Sequence, residues 1–156
     1  MQKDLIIVGI DPGKKGAVAF LPLEGQAAVF DMPEDEYDLV DIFNSFKRKI
    51  YRVVIEKQQP FPKQGLSSTF NLARHYGIIL GILKTLEIAY EEIPPQKWQK
   101  SILGNGRKTR NQSKKASLLK ARALFPTVDL ANKHGRSDAL LIAEYGRRLY
   151  FGSVNK

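Results

Sequence analysis

The distribution of hydrophobic and polar residues along the chain predicts five strands. Short, β-branched apolar runs at residues 5–9 and 53–55 are typical of buried strands. Residues 16–20 and 27–30 are predicted to form two further strands of an antiparallel meander, and residues 88–93 a fifth strand.

The intervening segments carry the signals of five helices. Apolar residues at helical spacing predict a helix within residues 35–49, and a long helix is expected from about 67 to 86. Pro95 is suited to the first turn of a short helix that ends near residue 103. Ser113 and Ser137 are the predicted N-caps of two last helices. The proline-containing segment 58–65 and the basic, glycine-containing segment 104–112 are predicted loops.

The predicted order β-β-β-α-β-α-β-α-α-α indicates the fold class. Strands that alternate with helices pair in parallel, whereas the opening meander is antiparallel. We therefore expect an α/β fold: a mixed five-stranded sheet, its first three strands antiparallel, with helices on both faces.

The long helix contains a stripe of small residues that repeats every four positions. Glycine inside a helix costs about 1 kcal/mol relative to alanine, so a close approach of another backbone is expected at the stripe. The approaching backbone is either the sheet of the same chain or the same helix of a second copy. The stripe consists of Thr69, Ala73, Gly77, Gly81, Thr85 and Ala89.

Length and composition restrict the class of protein. The 156 residues suit one domain (1–156), and 43% hydrophobic with 26% charged residues is a globular composition. Because the chain has no cysteine, a disulfide scaffold, a thiolate zinc site and a cysteine nucleophile are excluded. No apolar run approaches the roughly 20 residues that span a bilayer. The N-terminal segment has the pattern of a strand rather than of a secretion signal, so we expect an intracellular protein.

The excess of positive charge lies wholly in the C-terminal part of the chain. Residues 97–156 contain 14 Lys and Arg against 3 Asp and Glu, whereas residues 1–96 contain 11 against 13. Such an asymmetry is typical of a polyanion-binding face, usually for nucleic acid, although a solvated basic surface without a partner gives the same count.

Three carboxylates stand where they can converge. Asp11 and Glu56 directly follow apolar strands, and Asp138 opens the last predicted helix. Strand ends face the crevice where open α/β sheets bind ligands, and carboxylates that converge there repel each other unless a cation is bound. Oxygen ligands select Mg²⁺ or Mn²⁺, and two such ions promote phosphodiester hydrolysis. Each residue taken singly also has a structural explanation. Asp11 could belong only to a turn, Glu56 could form an ion pair with Lys57 or another basic neighbour, and Asp138 could be a residue favoured at a helix start.

The motifs that contain these acids resemble those of the RuvC-type Holliday junction resolvases, and particularly the short, bacteriophage-like branch. The resemblance rests on Ile10-Asp11-Pro12-Gly13 with Gly16, on residues 53–56 (VVIE) and on residues 134–143 (HGRSDALLIA). It extends from about residue 4 to residue 149.

The resemblance implies a ribonuclease H-like fold, a homodimer and symmetric, Mg²⁺-dependent nicking of a four-way DNA junction. Asp11, Glu56 and Asp138 match the metal-binding acids of the family. We expect two Mg²⁺ ions per site, with Mn²⁺ as a substitute. The family has a fourth ligand three residues before the last Asp, where this chain has Gly135. His134 is therefore the candidate for the fourth metal-binding and catalytic group. A cytoplasmic location, in a bacterium or a phage-infected cell, is expected.

Several basic residues and one aromatic residue are candidates for DNA binding. Basic side chains near a glycine-containing loop can neutralise phosphates, and the resemblance implies basic residues on both sides of that loop. Phe61, in the proline-flanked loop, is the candidate for a wedge between bases. Trp98 is assigned to the core. The basic candidates are Lys100, Arg107, Lys108, Arg110, Lys114 and Lys115.

Two other functions remain open at this point. A ribonuclease H-like nuclease that acts on RNA or RNA–DNA hybrids would use the same metal chemistry. A non-catalytic, basic nucleic-acid-binding protein would use the acids only for structure.

Overall fold

The computed structural model describes residues 4–152, and five strands form one mixed sheet within them. The strands are β1 (Ile6–Asp11), β2 (Ala17–Pro22), β3 (Ala28–Asp31), β4 (Ile50–Glu56) and β5 (Tyr90–Ile93). Their order across the sheet is β3-β2-β1-β4-β5. β1 and β3 pair antiparallel with β2, whereas β4 pairs parallel with both β1 and β5. The predicted mixed sheet with an antiparallel opening is confirmed.

The helices follow the predicted order as well. They are α1 (Glu36–Phe46), α2 (Leu66–Thr85), α3 (Pro95–Leu103), α4 (Arg110–Leu124) and α5 (His134–Phe151), with a 3₁₀ turn at Lys47–Lys49 after α1. None of the helices in residues 4–152 combines the length and the apolar character that crossing a bilayer requires.

Helices cover both faces of the sheet because successive strand residues point to opposite sides. Val8 and Ile55 face the layer of α1 and α2, where they join a core cluster with Phe43 and Leu83. Ile7 and Val54 face the layer of α3, α4 and α5, in a second core cluster. The two hydrophobic layers hold the carboxyl ends of β1 and β4 in the middle of the sheet.

α5 packs unusually closely on β1. A Cβ atom at Gly9 would lie only 2.1 Å from the Ala139 carbonyl oxygen and 2.4 Å from the Ala143 backbone nitrogen. Since real Cβ contacts are not that short, the central strand needs glycine here. This close packing brings the first turns of α5 next to the end of β1.

Two predicted helix starts are wrong. α4 begins at Arg110 because Thr109, not Ser113, is its N-cap: Thr109 and Gln112 form a reciprocal capping box. α5 begins at His134 with Lys133 as N-cap, so Ser137 is a buried residue inside the helix. Asp138 consequently lies in the second turn of α5, not at its start.

The small-residue stripe of α2 does not pack on the sheet of its own chain. Gly77 and Gly81 are exposed, and a Cβ atom at either position would meet nothing within 4 Å. α2 contacts the sheet with another side, through Ile79 and Leu83. The intramolecular interpretation of the stripe is therefore wrong.

Candidate active site

The strand pairing brings Asp11 and Glu56 to the same edge of the sheet. Ile10 of β1 lies opposite Ile55 of β4 in a parallel ladder, so the residues that follow them are neighbours. Asp138 approaches the same edge from α5. The negative charges of Glu56 and Asp138 both act on Asp11, and that of Asp138 acts on Glu56. The structure thus brings together the three acids that the sequence singled out.

All three carboxylates are electrostatically strained at neutral pH. Burial, with the repulsion from Asp138 and Glu56 added to it, raises the pKa of Asp11 well above its usual value. Burial likewise raises the pKa of Glu56, and it raises the pKa of Asp138 to about 6. A bound cation offsets this repulsion and stabilises the ionised forms of the three acids.

Glu56 is held by hydrogen bonds from two other parts of the chain. The indole N–H of Trp98, a fully buried residue of α3, donates to Glu56 Oε2 over 2.7 Å. The side-chain amide of Gln58 also hydrogen-bonds to this carboxylate and, like Trp98, lowers its pKa. Trp98 is a core residue as predicted, but it is also a direct partner of a candidate site residue.

Asp138 is surrounded by residues of α4. The Ser117 hydroxyl hydrogen-bonds to its carboxylate, and the Lys114 ammonium is close enough for its charge to lower the pKa of Asp138. The other oxygen, Oδ1, is buried and has no hydrogen-bond partner among residues 4–152. A buried carboxylate oxygen without a donor is an acceptor available for a ligand.

The three acids fit a hard divalent cation by their chemistry. They supply only carboxylate oxygens, which Mg²⁺ and Mn²⁺ prefer, and the free Oδ1 of Asp138 is one ready ligand atom. As the side chains stand, no group of three His, Asp or Glu residues within residues 4–152 is arranged to hold an ion. Binding of a cation therefore requires some of these side chains to change their conformation.

The surroundings of the predicted fourth ligand are sterically restricted. Gly135 packs against the turn between β1 and β2: a Cβ atom there would lie 2.3 Å from the Lys15 carbonyl oxygen and 2.9 Å from Gly16 Cα. No side chain fits at this position, which explains why the chain lacks a carboxylate there. His134 is the exposed first residue of α5, one turn before Asp138.

An ion network fixes the start of α5 and with it the position of Asp138. Arg136 Nε donates to Asp31 Oδ1 over 2.7 Å, and Lys133 Nζ donates to Asp31 Oδ2 over 2.5 Å. These two cations hold the pKa of Asp31, at the end of β3, at about 2. The N-terminal turn of α5 is thereby attached to the sheet edge that carries the acids.

The basic candidates lie on α3, on α4 and on the segment between them. Lys100 on α3 and Lys108 line a cavity of about 270 Å³, together with Gly104, Gly106 and Ser113. Gly104 and Gly106 have positive φ angles of 88° and 126°, which favour glycine and form the tight turn of this wall.

The remaining basic candidates divide between loop and helix. Arg107 stays in the connecting segment and is exposed. Arg110 belongs to α4 rather than to the predicted loop, whereas Lys114 and Lys115 lie in this helix as predicted. Lys114 lies one turn before Ser117 on the side of α4 that meets Asp138, whereas Lys115 is exposed. The structure thus connects only part of the predicted basic cluster to the acids.

Phe61 is available to a partner. Its side chain is 70% exposed, in a loop five residues after Glu56, and its backbone N–H donates to Gln64 Oε1 over 3.1 Å. Leu66 and Phe70 at the beginning of α2 are also exposed. The loop and the first five residues of α2 thus carry three exposed apolar side chains in the segment that follows Glu56.

A second cavity, of about 490 Å³, lies between α1, α2 and the turn after β1. Its lining contains Lys14 and Arg74 but also Glu34 and Glu36, so its charge does not favour a polyanion. His75 also lines it, and the Nε2 atom of His75 is buried without a hydrogen-bond partner.

Gln58 and Ser117 are site residues that the sequence did not predict, and Trp98 was predicted only as a core residue. Gln58 follows Glu56 by two residues in a loop, and only that proximity signals a role. Nothing in the spacing of Ser117 or Trp98 signals a contact with Asp138 or Glu56.

Comparison with known proteins places the chain in a family. The profile of the family described as Lactococcus phage M3 protein (DUF3882) matches residues 27–147. The chain belongs to this family. Comparison with curated proteins gives no match.

Solved structures with the same fold include two of RuvC from Thermus thermophilus. The first is 15% identical with a TM-score of 0.65 and covers 93% of this chain and 96% of its own. The second, in complex with a Holliday junction substrate, is 18% identical with a TM-score of 0.66, and the match covers 90% of this chain and 92% of that structure's chain. A fowlpox virus resolvase in complex with Holliday junction DNA is 15% identical with a TM-score of 0.54 and covers 94% and 99%. The expected RuvC-like, ribonuclease H-like fold is confirmed.

Proposed function

We propose that the protein is a metal-dependent endonuclease that resolves four-way DNA junctions. The observation that carries this proposal is the convergence of Asp11, Glu56 and Asp138, with raised pKa values, at one edge of a RuvC-like sheet. Structures of this fold include two resolvases in complex with Holliday junction DNA, which supports the choice of substrate.

In this proposal the three acids hold Mg²⁺ or Mn²⁺, two ions per site. Bound ions supply an activated water and stabilise the leaving oxygen of the phosphodiester. The chain's own part is to orient the carboxylates: β1 and β4 present Asp11 and Glu56, and the attachment of Arg136 to Asp31 fixes the turn that presents Asp138. His134, exposed at the start of α5, is the proposed additional ligand or proton acceptor.

The proposed DNA-binding surface combines the cavity between α3 and α4 with the loop after β4. Lys100 and Lys108 contact backbone phosphates at the cavity, with Arg107, Arg110, Lys114 and Lys115 extending the positive surface towards Asp138. Phe61, exposed on the loop that leaves Glu56, separates bases at the branch point.

A homodimer completes the proposed enzyme, because symmetric resolution of a junction requires two active sites. The exposed small-residue stripe of α2 is suited to the same helix of a second copy, since Gly77 and Gly81 leave room for a close backbone approach. A monomeric protein would favour the second candidate function, a ribonuclease H-like nuclease acting on RNA or RNA–DNA hybrids.

The test offers the purified protein a labelled four-way junction, a flap, a linear duplex and an RNA–DNA hybrid, each with Mg²⁺ and with chelator. We expect paired nicks in the junction, only with Mg²⁺, from a protein that sediments as a dimer. Asp11→Asn, Glu56→Gln and Asp138→Asn should each abolish cleavage and leave junction binding intact, because they remove a ligand charge but little volume.

The matched control is Asp41→Asn, which neutralises an exposed acid on α1 outside the three. It should cleave like the unmodified protein. Preferential cleavage of the hybrid by a monomer would replace this proposal with the second candidate. Junction binding without any cleavage, in Mg²⁺ or Mn²⁺, would leave a non-catalytic binding protein.

A further inference from the structure

The only tryptophan of the chain contacts one of the three acids. Trp98 is the fourth residue of α3, which begins at Pro95 shortly after β5, and its ring is fully buried. Its indole N–H donates to Glu56 Oε2 over 2.7 Å, across 42 positions of sequence. α3 is thus connected to the end of β4 by a polar contact as well as by packing.

A buried carboxylate costs more free energy than a neutral acceptor would, so the need of the indole N–H for an acceptor does not by itself explain this contact. A buried indole N–H needs one acceptor, and a neutral carbonyl would serve without placing a negative charge among apolar groups. Here the acceptor is an acid whose pKa burial already raises. The contact is better explained by what it does to Glu56.

The effect on Glu56 is orientation. A glutamate side chain has several rotatable bonds. If it is free to move, it loses rotamer entropy when it binds a metal ion, and this loss weakens binding. Trp98 is itself immobile, because it packs in the core cluster of α3, α4 and α5. An indole N–H held in this way occupies one acceptor position of Oε2, and the Gln58 amide occupies another position of the carboxylate. Since a carboxylate offers about four acceptor positions, others stay available for another ligand.

We propose that Trp98 is a positioning residue: by anchoring Oε2 it limits the Glu56 carboxylate to few orientations, and so favours its binding of a divalent cation together with Asp11 and Asp138. This inference rests on the proposed function for the presence of a cation, but it concerns metal binding and does not require any particular nucleic acid. Partners that orient metal ligands typically contribute 10-fold to 100-fold to metal affinity.

The first test measures Mn²⁺ binding in the absence of DNA, from the electron paramagnetic resonance signal of free Mn²⁺. Trp98→Phe keeps most of the aromatic volume and removes the N–H donor. We expect its Mn²⁺ dissociation constant to rise roughly 10-fold to 100-fold. Ile102→Val is the matched control: Ile102 is a buried residue of the same helix and core cluster, and its truncation leaves the Trp98–Glu56 contact in place.

The control separates positioning from stability. Both variants lose packing and should unfold at lower temperature, but Ile102→Val should bind Mn²⁺ like the unmodified protein. Folded Trp98→Phe with an Mn²⁺ affinity within about twofold of the unmodified protein would overturn the inference, and so would undetectable Mn²⁺ binding by the unmodified protein. If Mn²⁺ binding weakens as expected while no branched DNA is cleaved, the inference stands and the proposed function fails.

A second measurement needs no change at Trp98. Since Trp98 is the only tryptophan, the intrinsic emission comes from the residue that touches Glu56. Saturation with paramagnetic Mn²⁺ should quench this emission, and Asp11→Asn, which leaves Trp98 untouched, should shift the quenching to higher Mn²⁺ concentration. Unchanged emission when the resonance signal shows Mn²⁺ bound would overturn the inference, even if Trp98→Phe does not fold.

Discussion

Neutralising one of the three acids should stabilise the metal-free protein and should abolish the proposed DNA cleavage. The substitution is Asp138→Asn, which keeps the shape of the side chain and an oxygen that can accept from the Ser117 hydroxyl. The reasoning depends on the pKa of Asp138, which burial raises from 3.8 to about 6. A carboxylate that resists ionisation in the folded state makes that state less stable once the pH forces it to ionise.

The magnitude follows from the shift and its sign. A change from 3.8 to about 6 corresponds to about 3 kcal/mol, because each pKa unit is worth about 1.4 kcal/mol. Between these pH values the folded protein holds a proton that the unfolded chain has lost, so stability falls as the pH rises through the window. The asparagine amide needs a partner of its own, which costs roughly 1 kcal/mol. We expect a net gain of about 2 kcal/mol at pH 7.

The assay is urea unfolding and thermal unfolding, both with chelator at pH 4 and pH 7 and both followed by circular dichroism. Asp138→Asn should exceed the unmodified protein in stability at pH 7, by roughly 4 to 8 °C in melting temperature for a chain of this size. The advantage should disappear near pH 4, where the folded aspartic acid is already neutral. Saturating Mg²⁺ should stabilise only the unmodified protein, by about 2.7 kcal/mol at a hundredfold excess over the dissociation constant.

Two results would refute this reasoning. Equal or lower stability of Asp138→Asn at pH 7 would mean that the carboxylate is not strained in the folded state. A gain of the same size at both pH values would mean that the substitution acts through packing and not through ionisation. Asp41→Asn, at an exposed position, is the control and should change the unfolding free energy by less than about 0.5 kcal/mol.

Two further predictions concern the helix that carries Asp138 and the cavity between α3 and α4. Gly135→Ala places a Cβ atom 2.3 Å from the Lys15 carbonyl oxygen and should cost about 1–3 kcal/mol in urea unfolding. Gly65→Ala, at a position with a φ of −61° where a Cβ atom meets none of the described residues within 4 Å, is the control and should cost less than about 1 kcal/mol. Equal effects of the two would show that the start of α5 is not tightly packed. Replacing Lys100 and Lys108 together by Ala should weaken junction binding and lower the slope of log affinity against log salt by up to about 2, without changing thermal stability, and an unchanged slope would place the phosphate contacts elsewhere.

Local patterns in the sequence determine most of the architecture. The apolar runs before Asp11 and Glu56 specify buried strands because periodicity and β-branching are local properties, and all ten predicted strands and helices form in the predicted order. The two strand-end acids could be placed together in advance, since parallel neighbouring strands end at one edge. The capping box of Thr109 and Gln112 is equally local, so the start of α4 was predictable from a motif that the interpretation based on Ser113 overlooked.

Only the tertiary structure decided what surrounds the acids. The contact of Trp98 with Glu56 and that of Ser117 with Asp138 depend on how α3, α4 and α5 pack on the sheet. These partners are far apart in the sequence, so no local spacing predicts the contacts. The lack of space at Gly135 likewise arises from the turn after β1, more than a hundred positions away. Local periodicity selects strands and helices, whereas hydrogen-bond partners and steric limits in a site are set by the close packing of distant segments.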